Sequence, residues 1–130
     1  MIKFTHVAIH SSSFDDSIFF YKSWCDLDII NDRRIYGGNT VWLGYPTNNH
    51  IPNFVLVIYD ISKTFLVNHL GFQVESLNKL KDYETKAINT NILYKPVANN
   101  GKDVGYTMSV KDPGDNIVEF TYGQNLTGIN

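Results

Sequence analysis

The feature that most constrains this chain is an internal repeat at an offset of 63 residues. The segment Thr5–His10 (THVAIH) matches Asn68–Gln73 (NHLGFQ), so each half of the 130-residue chain places a histidine before a short apolar run. Such self-similarity is the signature of duplicated structural modules. A half of about 60 residues is marginal alone, because it buries too little surface. The repeat therefore predicts a single domain, 1–130, built from two modules at 1–61 and 67–124.

Each half is predicted to contain a strand, a helix and three further strands. Helical spacing of apolar residues extends over Phe14–Cys25 and over Leu77–Ile88, where Glu84 is the one polar interruption. Ser13 and Ser76 precede the two stretches, and both are predicted N-caps because a serine oxygen can accept a free amide at a helix start. The predicted strands are His6–Ile9, Asp28–Ile30, Thr40–Gly44, Phe54–Tyr59, His69–Phe72, Asn91–Tyr94, Gly105–Lys111 and Ile117–Tyr122.

These elements predict an α+β fold in which two βαβββ modules form a cupped mixed β-sheet with the helices outside. Proline and glycine in Asp112–Asn116 preset a tight turn, so the last two strands are predicted to form a hairpin.

Composition and charge exclude several classes of partner. The formal net charge is −2, the sequence pI is near 6.0 and the basic residues are scattered, which argues against nucleic-acid binding. No apolar run approaches the roughly 20 residues that span a bilayer, and no secretory signal is recognisable. Cys25 is the only cysteine, so an internal disulfide is impossible. These features predict a cytoplasmic protein whose partner is a small molecule, not a membrane or a nucleic acid.

Three residues able to hold a metal ion occupy corresponding places in the predicted modules. Alternate residues of a strand share a face, so His6 lies on the face of Ala8, and His69 on that of Gly71. Glu119 interrupts an apolar strand, where a carboxylate needs a cation or hydrogen-bond donors to offset the cost of burial. On one curved sheet, His6, His69 and Glu119 can converge on the concave side. Two imidazoles and one carboxylate are a common ligand set for a divalent metal that also holds substrate.

Four motifs in order along the chain resemble the vicinal oxygen chelate superfamily. They are HVAI at His6, SFDDSIFFY in the first helix, HLGF at His69 and DPGDNIVEF ending at Glu119 and Phe120. This superfamily includes glyoxalase I, methylmalonyl-CoA epimerases, extradiol dioxygenases, fosfomycin-resistance enzymes and bleomycin-binding proteins. The resemblance implies a glyoxalase-like fold and a divalent metal (Zn, Ni, Co, Mn or Fe) bound by His6, His69 and Glu119. Glu119 is also the candidate catalytic residue.

The expected function is a metal-dependent lyase or isomerase acting on a small substrate with vicinal oxygens. Glyoxalase I and the epimerases use a fourth ligand, a Glu or Gln in the last strand of the first module. The residue at offset 63 from Glu119 is Leu56, and its neighbours are apolar. A three-ligand site without true lactoylglutathione lyase activity is therefore expected. Two alternatives stay open: a binding or resistance protein without turnover, and a non-haem iron dioxygenase, since Fe(II) also takes two His and one carboxylate.

Three further side chains are candidates for contact with substrate. Arg33 is expected to meet an anionic group, Tyr106 to line the cavity mouth and Trp42 to supply apolar contact area. His6 belongs to the first module and the other two ligands to the second, so a complete site requires both modules. A two-fold dimer is the commonest closed assembly, and a homodimer with the site at the interface is expected. The alternative is a monomer whose modules pair within the chain.

Overall fold

The computed structural model describes residues 4–46, 54–61 and 68–126 of the chain. Within these ranges the strands form two four-stranded sheets, and each sheet contains the strands of one half of the sequence. The chain divides into two compact units, Met1–Leu66 with Pro113–Asp115 and Val67–Asp112 with Asn116–Asn130.

The first unit contains four strands and a helix in the order βαβββ. Its strand order is β1-β4-β3-β2, with β1 parallel to β4 and the other pairs antiparallel. A short 3₁₀ turn at Arg33–Tyr36 connects β2 to β3. The elements are β1 (His6–Ser11), α1 (Phe14–Cys25), β2 (Asp28–Asp32), β3 (Thr40–Gly44) and β4 (Val55–Asp60).

The second unit repeats this arrangement, with strand order β5-β8-β7-β6 and the parallel pair β5–β8. Each unit is thus one βαβββ module with a mixed sheet, and the predicted α+β class is confirmed. No helix in the described ranges is long and apolar enough to cross a membrane. The elements are β5 (Leu70–Gln73), α2 (Leu77–Asn89), β6 (Leu93–Asn99), β7 (Tyr106–Lys111) and β8 (Ile117–Tyr122).

Helix α1 buries the apolar face that its sequence spacing predicts. All four predicted core positions of this helix are buried, and the helix packs on β4. The facing sheet residues are buried to the same extent, since Val41, Leu43 and Ile58 have no exposed surface. Burial of such side chains stabilises each unit by roughly 1.5–3 kcal/mol per residue. The predicted positions are Phe14, Ile18, Tyr21 and Cys25.

Helix α2 departs from its predicted face at one position. Leu80 and Ala87 have no exposed surface, and the Tyr83 ring meets Phe120 of β8 edge to face. Ile88, which the apolar spacing places on the same face, is 58% exposed. The prediction for Ile88 is wrong because the packed stripe passes from Leu80 through Tyr83 to Ala87, at intervals of three and then four residues. Ile88 lies one residue beyond this stripe.

Only one of the two predicted serine caps is present. Ser76 Oγ accepts a hydrogen bond from Lys79 N at 3.0 Å, which satisfies one free amide at the start of α2. Ser13 makes no side-chain cap bond, and its own amide instead donates to Ser11 Oγ. Ser13 stands at the N-cap position as predicted, but the cap bond is absent because its backbone (φ −114°, ψ 65°) is not in the extended conformation typical of a capping residue.

Six of the eight strands differ from their predicted bounds by one or more residues, and β3 and β8 match them; the largest differences are in β1, β2 and β6. Strand β2 continues to Asp32, and β6 begins at Leu93 and continues to Asn99. Asn91 was predicted in β6 but has a positive φ of 58°, which belongs to the turn that follows α2. Strand β6 is an edge strand, so it accommodates Pro96 and its irregular register. The predicted hairpin at 112–116 is present between β7 and β8.

Candidate functional site

His6 lies on the face of the first sheet that points away from α1. Ser11 Oγ on β1 is 2.6 Å from Ser17 Oγ on α1, so the side of β1 that carries Ser11 faces the helix. Side chains alternate along a strand, which directs His6 and Ala8 to the opposite side. His6 is exposed there.

The same face carries an open cleft of about 290 Å³ beside His6. Val57 pairs with Ala8 on one side and Trp42 on the other, so Val57 and Trp42 share the face of His6. Trp42 is 37% exposed, which leaves part of its indole ring available for contact. Apart from the imidazole and one hydroxyl, the wall is apolar, so it suits an apolar group of a small molecule. The lining residues are Thr5, His6, Trp42, Val55 and Val57.

Glu119 lies on an interior strand of the second sheet, between Gly71 of β5 and Ser109 of β7. Its neighbour Phe120 contacts Tyr83 of α2, so Glu119 points away from that helix. Its side chain is half-buried and makes no hydrogen bond or ion pair with any described residue. No atom of the described residues lies within 4 Å of the point that a Cβ on Gly71 would occupy. Open space therefore adjoins this strand face next to the carboxylate.

Each candidate histidine is hydrogen-bonded through Nδ1 to the side chain directly before it. Thr5 Oγ1 lies 2.9 Å from His6 Nδ1, and Asn68 Oδ1 lies 2.7 Å from His69 Nδ1. Across the described residues, neither Nε2 atom has a hydrogen-bond partner. A ring whose Nδ1 is held in this way presents Nε2 to a ligand.

Thr5 and Asn68 are hydrogen-bond partners of the candidate histidines that the sequence patterns above do not single out. They stand at the same offset of 63 as the histidines that follow them, and both have side chains able to form hydrogen bonds. A polar side chain directly before each candidate histidine is the feature of the sequence that could have indicated this role. Their bonds to the rings become visible only in the structure, since a side chain can form such a bond only when the backbone orients it.

The donor atoms of the three predicted ligands fit a divalent metal. Imidazole nitrogens and a carboxylate oxygen are accepted by each of the metals expected above. A half-buried carboxylate with no partner among the described residues is a group that a bound cation stabilises. The described residues contain no group of three or more His, Cys, Asp or Glu that could share a metal ion, so the ligand set His6, His69 and Glu119 stays a prediction.

The position equivalent to Glu119 in the first module is Val57, not Leu56. In the second sheet Gly71 pairs with Glu119, and in the first sheet the matching residue Ala8 pairs with Val57. The two parallel pairings thus differ in register by one residue relative to the sequence offset. Leu56 belongs to the buried face toward α1. The prediction that Leu56 is the equivalent position is therefore wrong. The expectation that the first module supplies no fourth ligand at this position still holds, because Val57 is also apolar.

Arg33 and Arg34 differ in their surroundings. Arg33 is exposed, with its guanidinium 5.0 Å from the centre of the Tyr36 ring. Arg34 is bound to Asp32 at 2.8 Å and to Asp15 at 2.9 Å. The hydrogen bonds from Arg34 lower the pKa of the Asp32 carboxyl below its usual range. Arg34 is thus occupied structurally, while the contact of Arg33 with substrate stays a prediction.

Tyr106 lies on the opposite face of the second sheet from Glu119. Glu119 pairs with Ser109, and Tyr106 stands three residues before Ser109 on the same strand, so its side chain alternates to the other face. That face is the one that α2 covers, as the contact of Tyr83 with Phe120 shows. The predicted contact of Tyr106 with substrate therefore has no support within this sheet.

The chain is similar to proteins of known sequence and structure over nearly its whole length. No family model matches it. It is 30% identical over 125 residues to the uncharacterized protein PA2024 of Pseudomonas aeruginosa, a match that covers 94% of this chain and 89% of that protein.

Solved structures share the fold at low sequence identity. FosX, a genomically encoded fosfomycin resistance protein of Listeria monocytogenes, has a TM-score of 0.74 at 15% identity, with 97% of this chain and 94% of that chain covered. A point mutant of that protein was crystallised with Mn(II) and 1S,2S-dihydroxypropylphosphonic acid, with a TM-score of 0.72 at 16% identity over the same coverage. A lactoylglutathione lyase from Agrobacterium tumefaciens has a TM-score of 0.62 at 18% identity, with 99% and 98% covered.

Proposed function

This chain belongs to the family that includes the uncharacterized protein PA2024, and it has the fold of the glyoxalase/bleomycin resistance/dioxygenase (vicinal oxygen chelate) superfamily. On that premise we propose that it is a divalent-metal-dependent enzyme. Its substrate is a small molecule with two neighbouring oxygens, and the reaction is a lyase or isomerase reaction. The observation that carries this proposal is Glu119, a half-buried carboxylate without a partner among the described residues, on a strand face beside open space.

In this proposal the metal is held by His6 Nε2, His69 Nε2 and a carboxylate oxygen of Glu119. The Mn(II) in the structure of the FosX mutant supports the choice of a divalent ion. When bound, such an ion would supply Lewis acidity to the chelating oxygens of the substrate. Once detached from the metal, Glu119 would also be the proton acceptor, since a free carboxylate can take a proton from a substrate carbon. Arg33 is the proposed partner of an anionic substrate group.

The cleft beside His6 favours a substrate that also carries an apolar group. Val55, Val57 and Trp42 form most of the wall, and a volume of about 290 Å³ admits a short alkyl chain or one ring. These side chains would exclude water from one side of the imidazole and orient the substrate by contact. The proposed substrate therefore combines a chelating pair of oxygens with a compact apolar part.

Metal analysis of gently purified protein tests the ligand set. We expect His69→Ala and Glu119→Ala to lose stoichiometric binding of Mn²⁺ or Co²⁺ while they stay folded. His10→Ala is the matched control, because His10 lies on the same face of β1 as His6 but is not a proposed ligand. Metal binding by either ligand variant at the wild-type affinity would contradict the assignment.

A turnover screen separates the proposed reaction from the two alternatives. Thiohemiacetals, epoxides and catechols with apolar substituents are tested with each metal, with and without oxygen. Turnover without oxygen on Ni, Co or Zn supports a lyase or isomerase. A strict need for Fe(II) or Mn(II) together with oxygen uptake identifies a dioxygenase instead. Tight binding of a compound that is recovered unchanged identifies a sequestering protein.

A further inference from the structure

The two candidate histidines share a hydrogen bond that repeats along with the modules. Thr5 Oγ1 to His6 Nδ1 and Asn68 Oδ1 to His69 Nδ1 join adjacent residues, at 2.9 Å and 2.7 Å, and both pairs are exposed. Threonine and asparagine share little chemistry apart from a side-chain oxygen that can accept a hydrogen bond. The repeated feature is therefore an acceptor beside Nδ1, not a particular residue type.

An acceptor at Nδ1 determines which nitrogen is available as a ligand. A neutral imidazole carries one N–H, and the amide oxygen of Asn68 can only accept, so the proton of His69 is placed on Nδ1. The lone pair then lies on Nε2. The Thr5 hydroxyl can accept from His6 Nδ1 in the same way.

Fold stability does not account for these bonds. Both join exposed side chains of neighbouring residues, and such bonds contribute little to folding because water replaces them readily. They link no two elements of the fold, since each pair lies at the start of a single strand. Their effect is confined to the rotation and the protonation of the two rings.

We propose that Thr5 and Asn68 are positioning residues that hold His6 and His69 with Nδ1 protonated and Nε2 presented to the metal. This inference rests on the proposed metal site. Neither residue touches the ion; each acts through the ring that follows it, as the outer partners of metal-bound histidines commonly do.

The protonation of the rings is tested in metal-free protein by ¹H–¹⁵N correlation of the imidazole nitrogens, well above the imidazole pKa. We expect His69 and His6 in the wild type to carry the proton on Nδ1. Asn68→Ala should move the His69 proton toward Nε2, and Thr5→Val should do the same for His6. Thr5→Ser keeps the hydroxyl and should keep the wild-type signals. Unchanged signals in both Asn68→Ala and Thr5→Val would overturn the inference.

Titration with Mn²⁺ or Co²⁺ alone then measures the effect on affinity. We expect Asn68→Ala and Thr5→Val each to weaken binding by about 10–100-fold, with Thr5→Ser close to the wild type. Wild-type protein that binds neither ion refutes the proposed function and this inference together. Wild-type binding with unchanged affinity in both variants refutes this inference alone, and the proposed function then stands.

Discussion

Position 57 carries a buried valine where the second module carries the half-buried Glu119. Val57→Glu would place a carboxylate on the face of His6. We expect the metal-free variant to lose about 1–3 kcal/mol or more of unfolding free energy, because the new charge is buried without a partner. Binding of Mn²⁺ should return about 2.7 kcal/mol at 100 times its Kd, and urea unfolding with and without the ion measures both effects.

Leu56→Glu is the matched control for this experiment. Leu56 and Val57 are adjacent and equally buried, but Leu56 faces the α1 side of the sheet. Its variant should be destabilised to a similar degree or fail to fold, and any folded Leu56→Glu protein should gain no more stability from Mn²⁺ than the wild type gains through the three-ligand site. A larger gain from Mn²⁺ in Leu56→Glu than in Val57→Glu would show that the register argument is wrong.

The apolar side chain of Val57 also argues against one substrate. With Val57 in place of a fourth ligand, we expect little or no turnover of the hemithioacetal of methylglyoxal and glutathione. A stopped-flow or absorbance assay with Ni²⁺, Co²⁺ and Zn²⁺ measures it. A turnover number in the ordinary enzyme range of roughly 1–1000 per second would contradict the prediction.

At the scale of the elements, the two helix starts provide a matched pair of variants. Ser76→Ala removes the oxygen that accepts the Lys79 amide, so it should cost about 1 kcal/mol of unfolding free energy. Ser13→Ala removes no cap bond and should change it by less than about 0.5 kcal/mol. Chemical denaturation of both variants under one set of conditions gives the comparison. Equal losses in the two variants would mean that Ser13 caps α1 in solution.

Glu84 is the polar residue within the apolar face of α2, and its hydrogen bond in the structure explains why a polar side chain occurs there. Its Oε2 accepts the backbone N–H of Val97, in the irregular part of β6. Glu84→Leu should therefore cost about 1–3 kcal/mol although it makes the helix face more apolar, because the Val97 amide loses its acceptor. Glu84→Gln keeps an acceptor and should cost clearly less. Greater stability of Glu84→Leu by thermal denaturation would refute this role.

At the scale of the whole molecule, the proposed ligands are divided between His6 in the first unit and His69 with Glu119 in the second. We propose a homodimer in which His6 of one protomer completes the site of its partner. Mixing His6→Ala with His69→Ala protein should then partly restore Mn²⁺ binding, because each hetero-dimer has one intact site and one doubly altered site. Failure to recover binding, despite subunit exchange shown by mass spectrometry, would assign the complete site to a single chain.

The sequence by itself determined the two βαβββ modules, the bounds of α1 and β8, and the strand faces of His6 and Glu119. These features depend on local periodicity, in which a side chain's direction follows from its place in a helix or strand. Glu84 could be recognised as polar in an apolar face, but not explained, since its partner Val97 belongs to another element.

Only the tertiary structure decided that Val57, not Leu56, lies on the same sheet face as His6. Strand register is set by pairing across the sheet, and a shift of one residue exchanges the two faces. It likewise decided that Tyr106 lies on the helix side of its sheet. The bonds of Thr5 and Asn68 to the two rings also needed the folded backbone, since residue types alone do not say which side chains are oriented toward each other.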